Sequence, residues 1–348
     1  MIRTRLLFVA IVALFAVATL FGAGGSGEGA EKGDAEVENR LVVYTYDTFP
    51  GALEDSIREA LAGALAGVEV VVERFMDTGG LFTQMLLEKD AAKADVVIGL
   101  DTTYLPRVFE DDLLQPYKPV GLVLAREELL VDPEYRAVAF DYGGIALNYD
   151  SEQLPNPPRN WDELTDPMYK NQIILINPAT SSPGKNFLLF TIAEFGADGY
   201  LDFWRALKPN ILTVASGWSE GYGLYTQGEA PIVLSYETSP AYHKHYESVD
   251  RYRNLLFDGK AYGQIEVAGI LKNAPHPAVA RKCIDHLMSV EFQNLIPLNQ
   301  FMYPVHADAV LPEAFVWAGP ATDMVRLDAA LVAAEFDGWL ERWEAVMR

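Results

Sequence analysis

From Arg40 onward, short β-branched and aromatic runs alternate with amphipathic stretches of helical period, and this alternation restricts the possible folds more than any other feature. Residues 41–46 (Leu-Val-Val-Tyr-Thr-Tyr) read as a buried strand, and 50–65 as a helix with apolar positions at Leu53, Ile57, Ala60, Leu61 and Leu65. A second strand follows over 68–75, a second helix over 81–87, and a third strand over 94–100, ending at Asp101. Strand–helix–strand repetition needs a crossover on each return, which implies an α/β fold with a parallel sheet covered on both faces. In such sheets ligands bind beyond the carboxyl ends of the strands. Tyr46, Asp47, Asp77 and Asp101 all fall at or just past those ends.

The run 137–149 is a further strand with Gly143-Gly144 inside it, and mid-strand glycines mark a bend or a close approach. It reads as a first crossing between two lobes. A second alternating set follows, with strands over 172–176, near Thr213 and over 230–234, and helices starting at Trp161, Asn186 and Glu220. Residues 264–271 read as the crossing back, and 279–287, 292–296 and 328–347 as amphipathic helices. The expected division is 40–141 plus 263–296 for one lobe and 142–262 plus 297–348 for the other.

At 348 residues, half of them hydrophobic, the chain can bury two ordinary cores. A net charge of −22 excludes nucleic acid and anionic membrane surfaces as general partners. With Cys283 as the single cysteine, neither an intrachain disulfide nor a thiolate metal cluster can form. Arg3 and Arg5, the apolar run 6–21 and the small residues after it have the layout of an export signal, expected over 1–23. Left uncleaved, it would be an N-terminal anchor. Residues 24–39 are rich in Gly, Glu and Lys and are expected to be a flexible linker.

Three segments place polar residues at helix starts: Thr180-Ser181-Ser182-Pro183, Ser216-Gly217-Trp218-Ser219-Glu220 and Thr238-Ser239-Pro240. Each has backbone amides and hydroxyls suited to an anion, and each would also serve as an ordinary helix cap. Tyr46, Trp218, Tyr236 and Tyr242 sit at element ends, where a ring can stack on a flat or cationic ligand as well as on a core. Asp77 and Asp101 are equally placed to cap the turns that follow them.

These segments, in this order, carry a resemblance. Residues 43–49, 93–101, 180–184, 217–220 and 234–242, with Phe301-Met302-Tyr303-Pro304-Val305 beyond them, are similar to the thiamine-binding proteins of the bacterial periplasm, the substrate-binding components of thiamine ABC importers. The resemblance spans the chain after the linker. It implies a two-lobed periplasmic-binding-protein fold of type II, each lobe a mainly parallel sheet flanked by helices, closing on a hinge over thiamine or its mono- or diphosphate. It also implies ligand contacts from Asp77, Thr78, Ser181, Ser182, Trp218, Tyr236, Glu237, Thr238 and Ser239, with Tyr46 and Tyr242 completing an aromatic lining. The expected partners are a membrane permease and its ATPase; the protein is expected to be a periplasmic monomer without cofactor, metal or catalytic residue. Thr78 stands where the family pattern suggests glycine, and Glu237 where it suggests a small polar residue.

Two other readings fit parts of the pattern. A thiaminase-like enzyme of the same fold needs a nucleophilic cysteine, but Cys283 shares a helical face with Val279, Ile284 and Leu287 and reads as core. A ferric or polyamine binder would use Tyr236 and Tyr242, or Asp47, Asp77, Asp101 and Glu237. Trp218 and the serine-lined helix starts favour thiamine.

Overall fold

The computed structural model describes residues 39–348. The expected signal segment, 1–23, and all of the expected linker except its last residue lie outside the described residues. Among the described residues twelve strands form one continuous mixed sheet. In chain order they are β1 (Arg40–Tyr46), β2 (Glu69–Phe75), β3 (Val96–Asp101), β4 (Leu114–Gln115), β5 (Val138–Asp150) and β6 (Ile173–Ile176). There follow β7 (Ile211–Ala215), β8 (Ile232–Tyr236), β9 (Tyr252–Leu255), β10 (Lys260–Leu271), β11 (Tyr303–Pro304) and β12 (Asp323–Val325). The main order is β2-β1-β3-β10-β5-β8-β6-β7.

The outer strands pair in parallel, β2 with β1, β1 with β3, β8 with β6 and β6 with β7, as crossover helices require. The two long central strands are antiparallel to each other and to β3 and β8 beside them, and they knit the two sets into one sheet. Each spans both cores. Val138 and Phe140 of β5 pack with the first core and Ile145 and Leu147 with the second; Val267 of β10 belongs to the first and Tyr262 to the second.

The first core is built from β1, β3 and the buried faces of two helices. Gly51–Ala64 contributes Leu53, Ile57 and Leu61, and Pro277–Leu287 contributes Val279, Cys283, Ile284 and Leu287. The Cys283 thiol is fully buried there, and burial pushes its pKa up to about 12. The second core centres on Trp161, whose ring meets Phe187, Phe190, Phe195, Phe203 and Phe257 at 5.0–6.1 Å between centroids. Residues 297–348, placed together by the sequence pattern, divide their buried side chains between the cores. Met302 and Val305 join the first, Val332, Trp339 and Trp343 the second.

Three helices differ from the pattern. The one expected from Asn186 to Phe195 starts at Ser182, breaks at Gly196 (φ +74°) and resumes to Leu207. The amphipathic stretch 292–296 is instead two short helices, Val290–Gln293 and Ile296–Asn299. The helix after β8 is a single turn, Ser239–Tyr242, continued by a π-helical turn over His243–Glu247. Its cap is Thr238, not Ser239. So short a helix has little dipole, which removes the third expected anion site.

The mid-strand glycines mark close approaches. A Cβ on Gly144 would lie 2.6 Å from that of Ala261, and one on Gly143 would lie 2.9 Å from Met302 Sδ.

Candidate functional site

The carboxyl ends of β1 and β2 and the starts of helices Ser182–Leu207 and Trp218–Thr226 face one another across a cavity of about 410 Å³. Eight of the residues expected from sequence line it: Tyr46, Asp77, Thr78, Ser182, Trp218, Tyr236, Ser239 and Tyr242. Tyr46 is positioned by Gly99 of β3, whose missing side chain leaves room for the ring. The Tyr46 hydroxyl accepts from the Gln300 side-chain amide. Opposite it, the Trp218 ring stacks on Tyr222 at 4.8 Å and 15°, and its Nε1–H donates to Ser235 Oγ at 2.9 Å. Ser235 Oγ in turn lies 2.7 Å from Ser239 Oγ. Burial raises the pKa of the Tyr46 and Tyr236 phenols, so both present neutral hydroxyls.

Asp77 caps the helix Thr78–Leu87 by accepting from the Thr78 N–H at 2.7 Å, and it faces the cavity as well. Burial raises its pKa, opposed by the Ser181 hydroxyl and the backbone N–H groups of Thr78, Trp218 and Ser182. The carboxylate therefore reaches from one lobe toward the two helix N-termini of the other. Gly217 permits this approach, since a Cβ there would sit 3.3 Å from Asp77 Oδ2. Gly79 does the same beside Thr180, whose carbonyl oxygen would lie 2.7 Å from its Cβ. A further contact across the cleft is Ser219 Oγ donating to Asp47 Oδ2 at 2.7 Å.

Three expected residues are not on the wall. Ser181 is fully buried at the cap of Ser182–Leu207, with its hydroxyl beside Asp77 and not on the cavity wall. Thr238 is buried, with its hydroxyl unpartnered. Glu237 turns away, accepting from the Ala321 backbone N–H beside Gly144. The cause is local: after Tyr236 points inward, the next side chain of the extended run takes the other face. Burial pushes the Glu237 pKa up to about 7. An acid with a raised folded-state pKa holds its proton more tightly when folded, so its stabilisation is present below about pH 4.5 and lost as pH rises through 7. The melting temperature of the unliganded protein should fall from pH 5 to pH 8, with a shallower slope in Glu237→Gln. Equal slopes would rule out Glu237 as a contributor.

Sequence reasoning missed Tyr222, His243, Glu247, Glu266, the helix end Asn299 and the loop residues Gln300 to Met302, all on the cavity wall. Tyr222 OH lies 2.9 Å from His243 Nε2, and His243 Nδ1 lies 2.7 Å from Glu247 Oε2, which fixes the ring beneath Trp218. Glu266 had a legible signal, a carboxylate inside an apolar strand run. With Asp47, Asp77 and Glu247 it makes the cavity acidic.

Residues 91–321 match the family described as bacterial extracellular solute-binding protein. The thiamine-binding periplasmic protein of Salmonella typhimurium is 36% identical over 313 residues, covering 87% of this chain and 92% of its own length. That of Brucella abortus is 33% identical over 98% of both chains. A solved periplasmic thiamin binding protein superposes with a TM-score of 0.79 at 33% identity, covering 89% of this chain and 96% of its own. The Bordetella ferric binding protein, at 21% identity and a TM-score of 0.65, shares the fold. The chain belongs to the bacterial extracellular solute-binding proteins, among the thiamine-binding periplasmic members of that family.

Proposed function

We propose that this chain captures thiamine, or its mono- or diphosphate, in the cavity between its lobes and delivers it to a membrane permease and its ATPase, as an exported monomer and without turnover. The observation that carries the reading is one cavity with aromatic walls, four carboxylates and two helix N-termini. An aminopyrimidine and a thiazolium ring stack on aromatic faces, the thiazolium cation suits acidic surroundings, and a phosphate suits helix N-termini. The cavity volume of about 410 Å³ falls in the range of roughly 300–1,000 Å³ usual for small-molecule sites. β5 and β10 are the strands that would flex as the lobes 40–141 plus 263–296 and 142–262 plus 297–348 part. Calorimetric titration of the mature protein with thiamine and both esters tests the reading. No heat with any of the three would overturn it.

The helix start at Ser181 and Ser182 serves the phosphate more than the rings, because amides and dipole there favour an anion. Asp77 holds that position in the unliganded arrangement, so a phosphate must displace it or lie beside it. Changing both serines to alanine is expected to weaken the esters by about 30-fold or more, the scale of a lost hydrogen bond to a charged group. Unesterified thiamine should change little. Equal losses for all three ligands would contradict this division.

A further inference from the structure

β10 carries Gln264 and Glu266 through an otherwise apolar strand, and the register gives Glu266 two acidic neighbours. It lies opposite Asp101 of β3 on one side and Asp141 of β5 on the other. Side chains directly opposite on paired strands share a face, so three carboxyls occupy one rung beneath the cavity. Asp101 is satisfied, accepting from the Thr103 N–H at 2.7 Å and from Asn186 Nδ2 at 2.8 Å. Asn186 Nδ2 also donates to Gln264 Oε1 at 2.8 Å, and this fixes which way the Gln264 amide points. Gln264 Nε2 then donates to the Tyr236 hydroxyl at 2.9 Å and to Glu266 Oε1 at 3.1 Å.

That network occupies one oxygen of Glu266 and leaves the other free. Glu266 is 6% exposed and lines the cavity, yet its Oε2 has no hydrogen-bond partner. Behind it Asp141 is fully buried with both oxygens unpartnered. The titratable groups facing Glu266 are Tyr46 of β1, Asp77, Asp101 of β3, Asp141 of β5 and Tyr236 of β8, none of them a cation. Two cations, Lys185 and Arg326, act on Asp101. Burial raises the pKa values of both Glu266 and Asp141, with Glu266 repelling Asp141 and with Asp101 and Asp77 repelling Glu266. The Tyr46 hydroxyl is the protein donor beside Glu266, and a carboxylate oxygen with two lone pairs this deep in the wall still accepts from a donor on the ligand.

We propose that Glu266 is a specificity-determining residue for the amino-substituted ring of the ligand, its Oε2 accepting the exocyclic N–H of an aminopyrimidine. This rests on the thiamine reading and adds a direction to it: the pyrimidine points to the β10 floor and the phosphate to the Ser182 helix. Glu266→Gln is a sharp test, because Gln264 Nε2 needs an acceptor and holds the new amide by its oxygen. The amide nitrogen then faces the ligand's amino group, donor against donor.

The experiment titrates wild type and Glu266→Gln with thiamine and with the analogue in which hydrogen replaces the ring amino group, and records melting temperatures of the unliganded proteins. Wild type should prefer thiamine by about 30-fold or more, the scale of a buried hydrogen bond to a charged group. In Glu266→Gln that preference should fall below about threefold, through loss of thiamine affinity alone. If the glutamine variant does not fold, Glu266→Met, of similar length and without a polar atom, gives the same ratio test. A retained preference in the variant, or equal loss of both ligands, would overturn the role of Glu266 and leave the thiamine reading intact. Failure of wild type to bind thiamine would overturn both.

Discussion

Replacing Trp218 by alanine should weaken thiamine binding by about 30- to 800-fold, because stacking and cation–π contact with a largely desolvated ring are each worth about 1–2 kcal/mol. The geometry supports a fixed stacking wall. Tyr222 lies flat behind the indole, and Tyr222 is held through His243 to Glu247. The indole N–H is anchored on Ser235, which is coupled to Ser239. A ring held in this way gives up little conformational freedom when a ligand stacks on it. Trp218→Phe keeps the face against Tyr222 but loses the Ser235 anchor, so it should recover only part of the affinity. Titration and the melting temperature of the unliganded variant together separate two roles. An unchanged affinity with a lowered melting temperature would make Trp218 a packing residue and move the aromatic wall elsewhere.

The inner strands of both lobes were legible in the sequence because they are buried on both faces and therefore read as continuous apolar runs, as in Leu41 to Tyr46 and Ile173 to Ile176. The site residues at strand ends followed from topology: Tyr46 and Asp77 reach the cavity because a crossover sheet leaves its carboxyl ends open. Helix faces were less legible. Which side of Trp218–Thr226 meets the ligand depends on how the helix is rotated against β6 and β8, so Tyr222 carried no signal. Glu237 shows the limit of adjacency, since a neighbour in sequence on an extended run is a neighbour on the opposite face. The wall residues Asn299 to Met302 come from the end of a short helix and the loop after it, with Phe301 at φ +56°, a conformation no periodicity announces. Glu266 was readable in principle: an acid within an apolar strand run is either paired or functional.

Gly99→Ala should be the most damaging small change in the first lobe. Gly99 lies within β3 at φ +93°, where any side chain strains the backbone by about 1–2 kcal/mol. A Cβ there would also fall well inside contact distance of the Tyr46 ring, and overpacking of this kind costs about 1–3 kcal/mol. The two together predict a melting temperature lower by roughly 3–8 °C. Affinity for thiamine should fall too, because the ring can yield only by leaving the cavity wall that it shares with Asp77 and Glu266. The two causes separate in a double-mutant cycle. Tyr46→Ala removes the obstruction, so adding Gly99→Ala in that background should cost only the backbone part, and the coupling between the sites should be about 1–3 kcal/mol. Affinity should not return in the double variant, since the ring itself is gone. If Gly99→Ala is as destabilising without the Tyr46 ring as with it, the two residues are uncoupled, and the glycine serves the backbone of β3 alone.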